Sequence, residues 1–320
     1  MLRTNTKPSR RLALTALALV AAAAASTAFA QQQQQTGTVT ASTAKPAEGQ
    51  ATRTVNAPLT LPPASKEGMV EGLIKIRSFD QDITAYRAYP KGKLKNAPVL
   101  VFLPMIVGTC SAMHQDFALR LAREGYYVIL PNMNERKHGM NACTDPFWTI
   151  VRDNIAFPNE AQYYLDINAA FDHAAKEGAS ATKRGMVGYD GGARVTMKML
   201  TRDPKILAGV AYSGPVAATP LGIVPGTTEA HPTPIELLNG INGVQGGMRG
   251  KLLAVFGDKE GQILPEQIAE FKAAQAKVDP KSKTSIYPGR HGFITDFDTT
   301  EPSRKAWAEG IAWLRAHGVK

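Results

Sequence analysis

The stretch GMVGYDGGA, residues 185–193, decides the fold of this chain. Its apolar first half predicts a buried strand, and the glycines that follow have the Gly-x-X-x-Gly spacing of a tight turn from a strand into a helix. Glycine is needed at 188 and 192 because a side chain there would collide with a neighbouring strand or helix. The turn presents its middle residue, Asp190, at the start of the helix, where backbone amides point outward.

Two further motifs supply the partners that a catalytic side chain at such a turn requires. His291 lies in YPGRHGF, after a predicted strand, whereas Asp258 and Glu260 lie in GDKE, after the preceding predicted strand. Acyl-transfer sites on turns of this form have the chain order nucleophile, acid, histidine. The order Asp190, then Glu260 or Asp258, then His291 fulfils it. The other histidines lack such a context, and no spacing of His, Cys or acidic residues predicts a metal site.

Outside these motifs, short apolar runs alternate with helical patterns from residue 70 onward. Strands are predicted at 70–76, 83–89, 99–103, 127–130, 185–188, 208–213, 252–256 and 284–287, and helices at 111–124, 160–176, 192–202, 265–277 and 301–317. The alternation predicts an α/β fold, with a mostly parallel central sheet covered by helices on both faces and opened by a hairpin. The Pro- and Gly-rich stretch 215–250 is either a lid or rim of a binding site or an inert surface insertion.

The first 30 residues have the pattern of a secretory signal peptide. A basic start is followed by the apolar run 12–25 and by Ala28-Phe29-Ala30, which predicts cleavage after Ala30. The alternative, a transmembrane anchor, is disfavoured because the apolar run is short and rich in alanine. We therefore expect a periplasmic or secreted protein with no membrane span after cleavage. Residues 31–68, poor in apolar side chains, are predicted to be a flexible linker, and residues 69–320 a single domain.

Charge and cysteine content narrow the classes of partner and compartment. Four positive charges of the formal net charge of +10 belong to residues 1–30, which leaves a scattered excess of +6. No basic run or aromatic–basic alternation indicates a nucleic-acid groove. In an oxidising compartment, Cys110 and Cys143 are expected to form one disulfide between the loops that follow the third and fourth predicted strands; two unrelated buried thiols are the alternative. Nothing in the sequence predicts the oligomeric state.

From about residue 70 to its C-terminus the chain resembles the dienelactone hydrolase family. The resemblance is carried, in order, by IKIRSFDQDITAYRAYP, PVLVFLPMIVG, LAREGYYVILPNM, VGYDGG and YPGRHGF. It implies an α/β-hydrolase fold without a large cap domain. It also implies a Cys-His-Asp triad that opens lactones and esters, and hence a hydrolase that acts on a small organic molecule without a cofactor.

The family's site residues map onto matching positions of this chain. Asp190 occupies the position of the nucleophilic cysteine and His291 that of the histidine. Glu260 matches the acid, and Asp258 is kept as its alternate. The resemblance further implies that the backbone amides of Gly191 and Ile106 form the oxyanion hole.

Three positions depart from the family pattern. Asp190 replaces a cysteine or serine, and Met105 stands where the family has a glutamate beside that cysteine. The two changes are consistent, because a glutamate beside an aspartate would bring two like charges together. Thr295 lies in the region where the family places an arginine that holds a substrate carboxylate. This difference argues against a small dienelactone acid as the substrate.

Three hypotheses about function follow. The first is an exported hydrolase in which Asp190, His291 and an acid act on an ester, a lactone or a saturated-carbon electrophile. Dehalogenases and epoxide hydrolases of this fold resemble the chain in using an aspartate, although dehalogenases usually have Trp where Gly191 stands here. The second is an inactive protein of this fold that binds a small organic ligand. The third is catalysis by another residue of the same pocket, Ser111 or Ser213.

Overall fold

A computed structural model of the chain describes residues 62–104, 109, 111–133, 135, 160–217, 232–241, 246–261 and 263–320. The described strands are β1 Met69–Arg77, β2 Asp82–Pro90, β3 Val99–Leu103, β4 Tyr127–Pro131, β5 Arg184–Tyr189, β6 Ile206–Tyr212, β7 Lys251–Lys259 and β8 Lys283–Arg290. The described helices are α1 Ala112–Arg123, α2 Glu160–Lys176, α3 Gly191–Arg202, α4 Pro234–Asn239, α5 Pro265–Val278 and α6 Glu301–Ala316, with a 3₁₀ helix at Phe293–Asp296.

The strands form one sheet in the order β1-β2-β4-β3-β5-β6-β7-β8. The pairs β1–β2 and β2–β4 are antiparallel, and every later pair is parallel. The α/β fold with a mostly parallel sheet that the sequence predicted is therefore confirmed. In the parallel part all strands point the same way, so the residues that follow β5, β6, β7 and β8 meet at one edge of the sheet.

Helices pack on both faces of the sheet because its central strands are apolar on both sides. In β3, Val99 and Val101 face the layer that contains α2, α3 and α5, whereas Leu100 and Phe102 face the layer that contains α1 and α6. All of β3, β4 and β5 is buried. The two cores hold the central strands rigidly, and with them the loops at the carboxyl edge.

The structure adds two elements to those predicted, α4 and the 3₁₀ helix, and places part of the predicted linker. Within the stretch 215–250, α4 begins at Pro234 with a capping box between Thr233 and Glu236. Residues 62–65, assigned from composition to the linker, lie against α1, where Asp116 accepts a hydrogen bond of 2.6 Å from the Ala64 amide. No helix in the described part of the chain is both long and apolar enough to span a bilayer.

Candidate active site

Four adjacent strands each contribute their next residue to one cluster of polar side chains. Asp190 follows β5, Ser213 follows β6, Glu260 follows β7 and His291 follows β8. These strands are neighbours in the parallel part of the sheet, so their carboxyl ends bring the four side chains together. The cluster thus unites Asp190, Glu260 and His291, which the sequence pattern selected, with Ser213.

The turn after β5 holds Asp190 in a conformation that side chains rarely adopt. Its backbone has φ 52° and ψ −119°, and its amide donates to the carbonyl of Tyr212 at 3.0 Å. A Cβ at Gly188 would meet the carbonyl oxygen of Gly192, and one at Gly192 would meet the carbonyl oxygen of Leu103. Both glycines are therefore required by backbone packing, and the strained residue between them projects its carboxylate at the start of α3.

Glu260 is the buried anchor of the cluster, with its side chain only 1% exposed. Its Oε1 accepts hydrogen bonds of 2.7 Å from the Ser213 hydroxyl and 2.7 Å from the Gly257 amide. Its Oε2 lies 2.6 Å from Nδ1 of His291. Donors on both oxygens satisfy the carboxylate, which compensates for its removal from water.

The imidazole of His291 lies between two carboxylates. On one side Nδ1 faces Glu260, and on the other Nε2 lies 3.6 Å from Oδ1 of Asp190. The second distance is longer than an ordinary hydrogen bond but suits an ion pair. Burial by itself lowers the pKa of His291, but the interactions with Asp190 and Glu260 outweigh burial and raise the pKa to about 9.

The loop that carries His291 is itself fixed by contacts with the cluster. Gly292 has φ 72°, and a Cβ at this position would meet the hydroxyl oxygen of Tyr189. The Gly292 amide donates to Oγ of Ser213 at 3.2 Å. Arg290, on the other side of His291, pairs with Asp296 at 2.8 Å. The orientation of the imidazole therefore depends on its chain neighbours as well as on Glu260.

The two acidic residues left open by the sequence occupy different places. Oδ1 of Asp258 accepts a hydrogen bond of 2.8 Å from the Gly289 amide, and the residue is exposed. Only Glu260 makes the Nδ1 contact with His291 among the described residues. The geometry thus assigns the orienting contact to Glu260 and gives Asp258 a link between the ends of β7 and β8.

Of the residues predicted for the oxyanion hole and the disulfide, only Gly191 lies among the described residues. Gly191 is the first residue of α3, so its amide has no carbonyl partner within the helix and is available to a ligand. Ile106, Cys110, Cys143 and Met105 lie outside the described residues, so the second oxyanion amide and the disulfide stay predictions. No group of three or more His, Cys, Asp or Glu residues suited to a metal ion occurs in the part of the chain that is described.

Ser213 has a role that the sequence pattern did not suggest. The residue is fully buried, and its hydroxyl proton is engaged by Glu260 rather than by an imidazole. This arrangement disfavours Ser213 as a nucleophile, because its hydroxyl is buried and is held by the carboxylate that orients His291, and no imidazole among the described residues contacts it. Ser111 precedes α1 and has no contact with His291 among the described residues. The position of Ser213, directly after a strand that borders the Asp190 strand, was the available signal.

Comparisons with known proteins agree with this architecture. The sequence model of the family described as "Dienelactone hydrolase family" matches residues 83–318. A provisionally named carboxymethylenebutenolidase of Methylorubrum extorquens is 26% identical over 257 residues, which span 79% of this chain and 83% of that protein. A protein of Escherichia coli with the same provisional name is 23% identical over 258 residues, or 79% of this chain and 90% of its own length.

Solved structures show the same fold. A provisionally named dienelactone hydrolase from Klebsiella pneumoniae superposes with a TM-score of 0.67 at 21% identity, covering 77% of this chain and 98% of its own. The dienelactone hydrolase-like promiscuous phosphotriesterase P91, from metagenomic libraries, gives a TM-score of 0.57 at 13% identity, with 78% and 99% covered. At these identities the superpositions establish a common fold rather than a common substrate.

Proposed function

The chain belongs to the dienelactone hydrolase family and is a hydrolase; from that premise we propose that it is exported and acts on a small organic ester, lactone or related electrophile through Asp190, His291 and Glu260. One observation carries the proposal, namely that the imidazole of His291 lies between the buried Glu260 and the carboxylate on the strained turn. A protein that only binds a ligand does not require this arrangement. The names of the relatives support including lactones among the substrates.

Asp190 acts as the nucleophile in this proposal. A carboxylate needs no base to become nucleophilic at neutral pH; it forms an ester when it attacks a saturated carbon and a mixed anhydride when it displaces the alkoxide of an ester or lactone. Water activated by Nε2 of His291 then hydrolyses that covalent intermediate, while Glu260 holds the imidazole in place. The amide of Gly191, at the start of α3, stabilises the oxyanion that develops during this second step.

A substrate panel tests the proposal. It contains nitrophenyl esters, lactones, haloalkanes and epoxides, each assayed with the wild type and with Asp190→Asn, which keeps the shape of the side chain and removes its charge. We expect hydrolysis of at least one class and a loss of at least about a hundredfold in the variant. Turnover of no class would favour a binding protein instead. Full activity of Asp190→Asn would place the nucleophile elsewhere.

Export is supported by the sequence of residues 1–30 and is part of the same proposal. Expressed with its own N-terminus in a bacterial host, the protein should be recovered from the periplasm or medium with Gln31 as its first residue. Replacing Ala28 and Ala30 by leucine should block the cleavage, because signal peptidase requires small residues there. A full-length cytosolic protein would contradict the proposal.

Peptide mapping without reductant should link Cys110 to Cys143.

A further inference from the structure

The two carboxylates beside His291 determine where its protons reside. Because Glu260 is an acceptor, Nδ1 carries a hydrogen, and a neutral ring would then turn the lone pair of Nε2 towards the negative Oδ1 of Asp190. A proton on Nε2 converts this repulsion into an ion pair. The neighbouring cation does not oppose it, because Arg290 is paired with Asp296. The pKa of His291, which is raised to about 9, agrees with this geometry. The resting site therefore holds an imidazolium at neutral pH.

A resting imidazolium favours one class of leaving group. The second step requires a neutral imidazole, because His291 must take a proton from the attacking water. Esterification of Asp190 removes one of the two charges that hold the proton on Nε2, so the ring can lose that proton in the first step, either to solvent or to the leaving group. A halide leaves as a stable anion and takes up no proton at neutral pH, so it makes no use of the imidazolium. A departing alkoxide takes up a proton as it forms, and the imidazolium is the general acid that can supply it.

Resting on the proposed function, we infer that the substrate is an epoxide, whose ring oxygen departs from a saturated carbon and receives its proton from Nε2 of His291. An ester opened at its carbonyl carbon also releases an alkoxide. However, the adduct with Asp190 would expel the carboxylate more readily than the alkoxide. In an epoxide the nucleophile attacks a saturated carbon, no such reversal competes, and ring strain drives the opening.

The reaction proceeds in two steps through an ester on Asp190. An oxygen of Asp190 supplies the electron pair for a new C–O bond, the ring C–O bond breaks onto the ring oxygen, and that oxygen takes the proton of Nε2. The result is a hydroxyalkyl ester of Asp190 beside a neutral imidazole. Nε2 then accepts a proton from water, whose oxygen adds to the carboxyl carbon of the ester. The adduct expels the diol alkoxide, which takes the carboxyl proton of Asp190, so the carboxylate and the imidazolium are both restored.

A matched pair of substrates separates this inference from the proposed function. 1,2-Epoxyhexane and 1-bromohexane carry the same chain length, but only the epoxide needs a proton in the first step. Covalent adducts on Asp190 are measured by intact-protein mass spectrometry under single-turnover conditions. In His291→Ala, we expect adduct formation from the epoxide to fall by about a hundredfold or more, and adduct formation from the bromide by less than about tenfold. His291→Gln provides a second variant, and thermal unfolding verifies that both are folded.

Isotope labelling supplies a second readout. After one turnover of the epoxide by the wild type in H₂¹⁸O, the label should be in the carboxylate of Asp190 and the diol should be unlabelled. If esters or bromides are hydrolysed and the epoxide is not, the inference is wrong and the proposed function stands. Equal losses for both substrates in His291→Ala also overturn the inference. If the wild type turns over neither these compounds nor the wider panel, both proposals fail.

Discussion

Ser213 donates a hydrogen bond of 2.7 Å to Oε1 of Glu260, and this contact leaves Oε2 directed at His291. Ser213 adopts φ 52°, a value that is unfavourable for any residue other than glycine. Its amide also donates to the carbonyl of Val255 at 2.8 Å, so the end of β6 is fixed against β7. Because the strained backbone turns the hydroxyl towards Glu260, we interpret Ser213 as a positioning residue.

Replacing Ser213 therefore should separate stability from activity. Ser213→Ala and Ser213→Gly both remove the hydroxyl, and we expect each to lower kcat by about tenfold to a hundredfold with little change in KM, from the loss of a hydrogen bond to a charged group. Glycine also tolerates the positive φ at position 213, so Ser213→Gly should be more stable than Ser213→Ala by about 1 kcal/mol. Urea unfolding and assays on an active substrate measure the two effects. Activity that follows stability across the pair would indicate a purely structural role.

The paired imidazole makes stability depend on pH. The pKa of His291 is about 9 in the folded protein, against a usual value of 6.5. The folded state therefore binds this proton more tightly than the unfolded state does, and the resulting stabilisation is complete below pH 6.5 and is lost as the pH rises through about 9. Its full size is at most about 3 kcal/mol. Urea unfolding of the wild type between pH 6 and pH 9.5 should show this decline.

Asp190→Asn serves as the matched variant for the pH measurement. It removes one of the two charges beside His291 while leaving the contact with Glu260, so the pKa of His291 should fall towards neutrality. The decline in stability should then occur at lower pH and be smaller. Imidazole proton resonances in NMR titrations report the same pKa directly. Identical titrations of the two proteins would show that Asp190 does not interact with the ring.

The sequence was sufficient to predict the sheet, Asp190 and His291, and to narrow the acid to Asp258 or Glu260, because each depends on local chemistry. Glycine spacing identified the turn at Asp190, and apolar runs identified strands that end just before Glu260 and His291. Parallel strands place their carboxyl ends together, so the proximity of these residues followed from the fold class. The same rule applies to Ser213, but a serine after a strand has no distinctive pattern.

Two other features needed three-dimensional information. The choice between Asp258 and Glu260 rests on the path of the chain at the end of β7, where the side chain of Asp258 contacts Gly289 and that of Glu260 contacts His291. The helix α4 was missed because proline and glycine dominate its surroundings. Its capping box, Thr233-Pro234-Ile235-Glu236, is nevertheless a recognisable signal of a helix start.

A glycine pair tests the packing of the turn. Gly192→Ala should destabilise the fold by roughly 2–4 kcal/mol, because its Cβ would meet backbone atoms of Leu103 and Pro104 that cannot move without shifting β3. Gly247→Ala is the control, because nothing lies within 4 Å of a Cβ at that position. Urea unfolding should show a large loss in the free energy of unfolding for Gly192→Ala and a change within about 0.5 kcal/mol for Gly247→Ala. A mild effect of Gly192→Ala would mean that α3 can move away from β3.

The two acidic residues provide the most direct test of how His291 is held. In Glu260→Gln, the oxygen of the amide is expected to stay with Ser213 and the Gly257 amide, because both are donors. The NH₂ group would then face Nδ1 and favour the tautomer with a hydrogen on Nε2, which cannot accept a proton from water. We expect kcat to fall by about 10³- to 10⁴-fold, with the fold retained.

Asp258→Asn is the control for that substitution. Its side-chain oxygen can still accept from the Gly289 amide, so activity should stay within about twofold of the wild type. Steady-state assays on an active substrate compare the two variants, and NMR of the imidazole nitrogens reports the tautomer of His291. Both changes neutralise one acidic residue near the end of β7, so a difference in activity between the two variants identifies the acid that orients His291. A large loss in Asp258→Asn with a small one in Glu260→Gln would reverse the assignment of the acid.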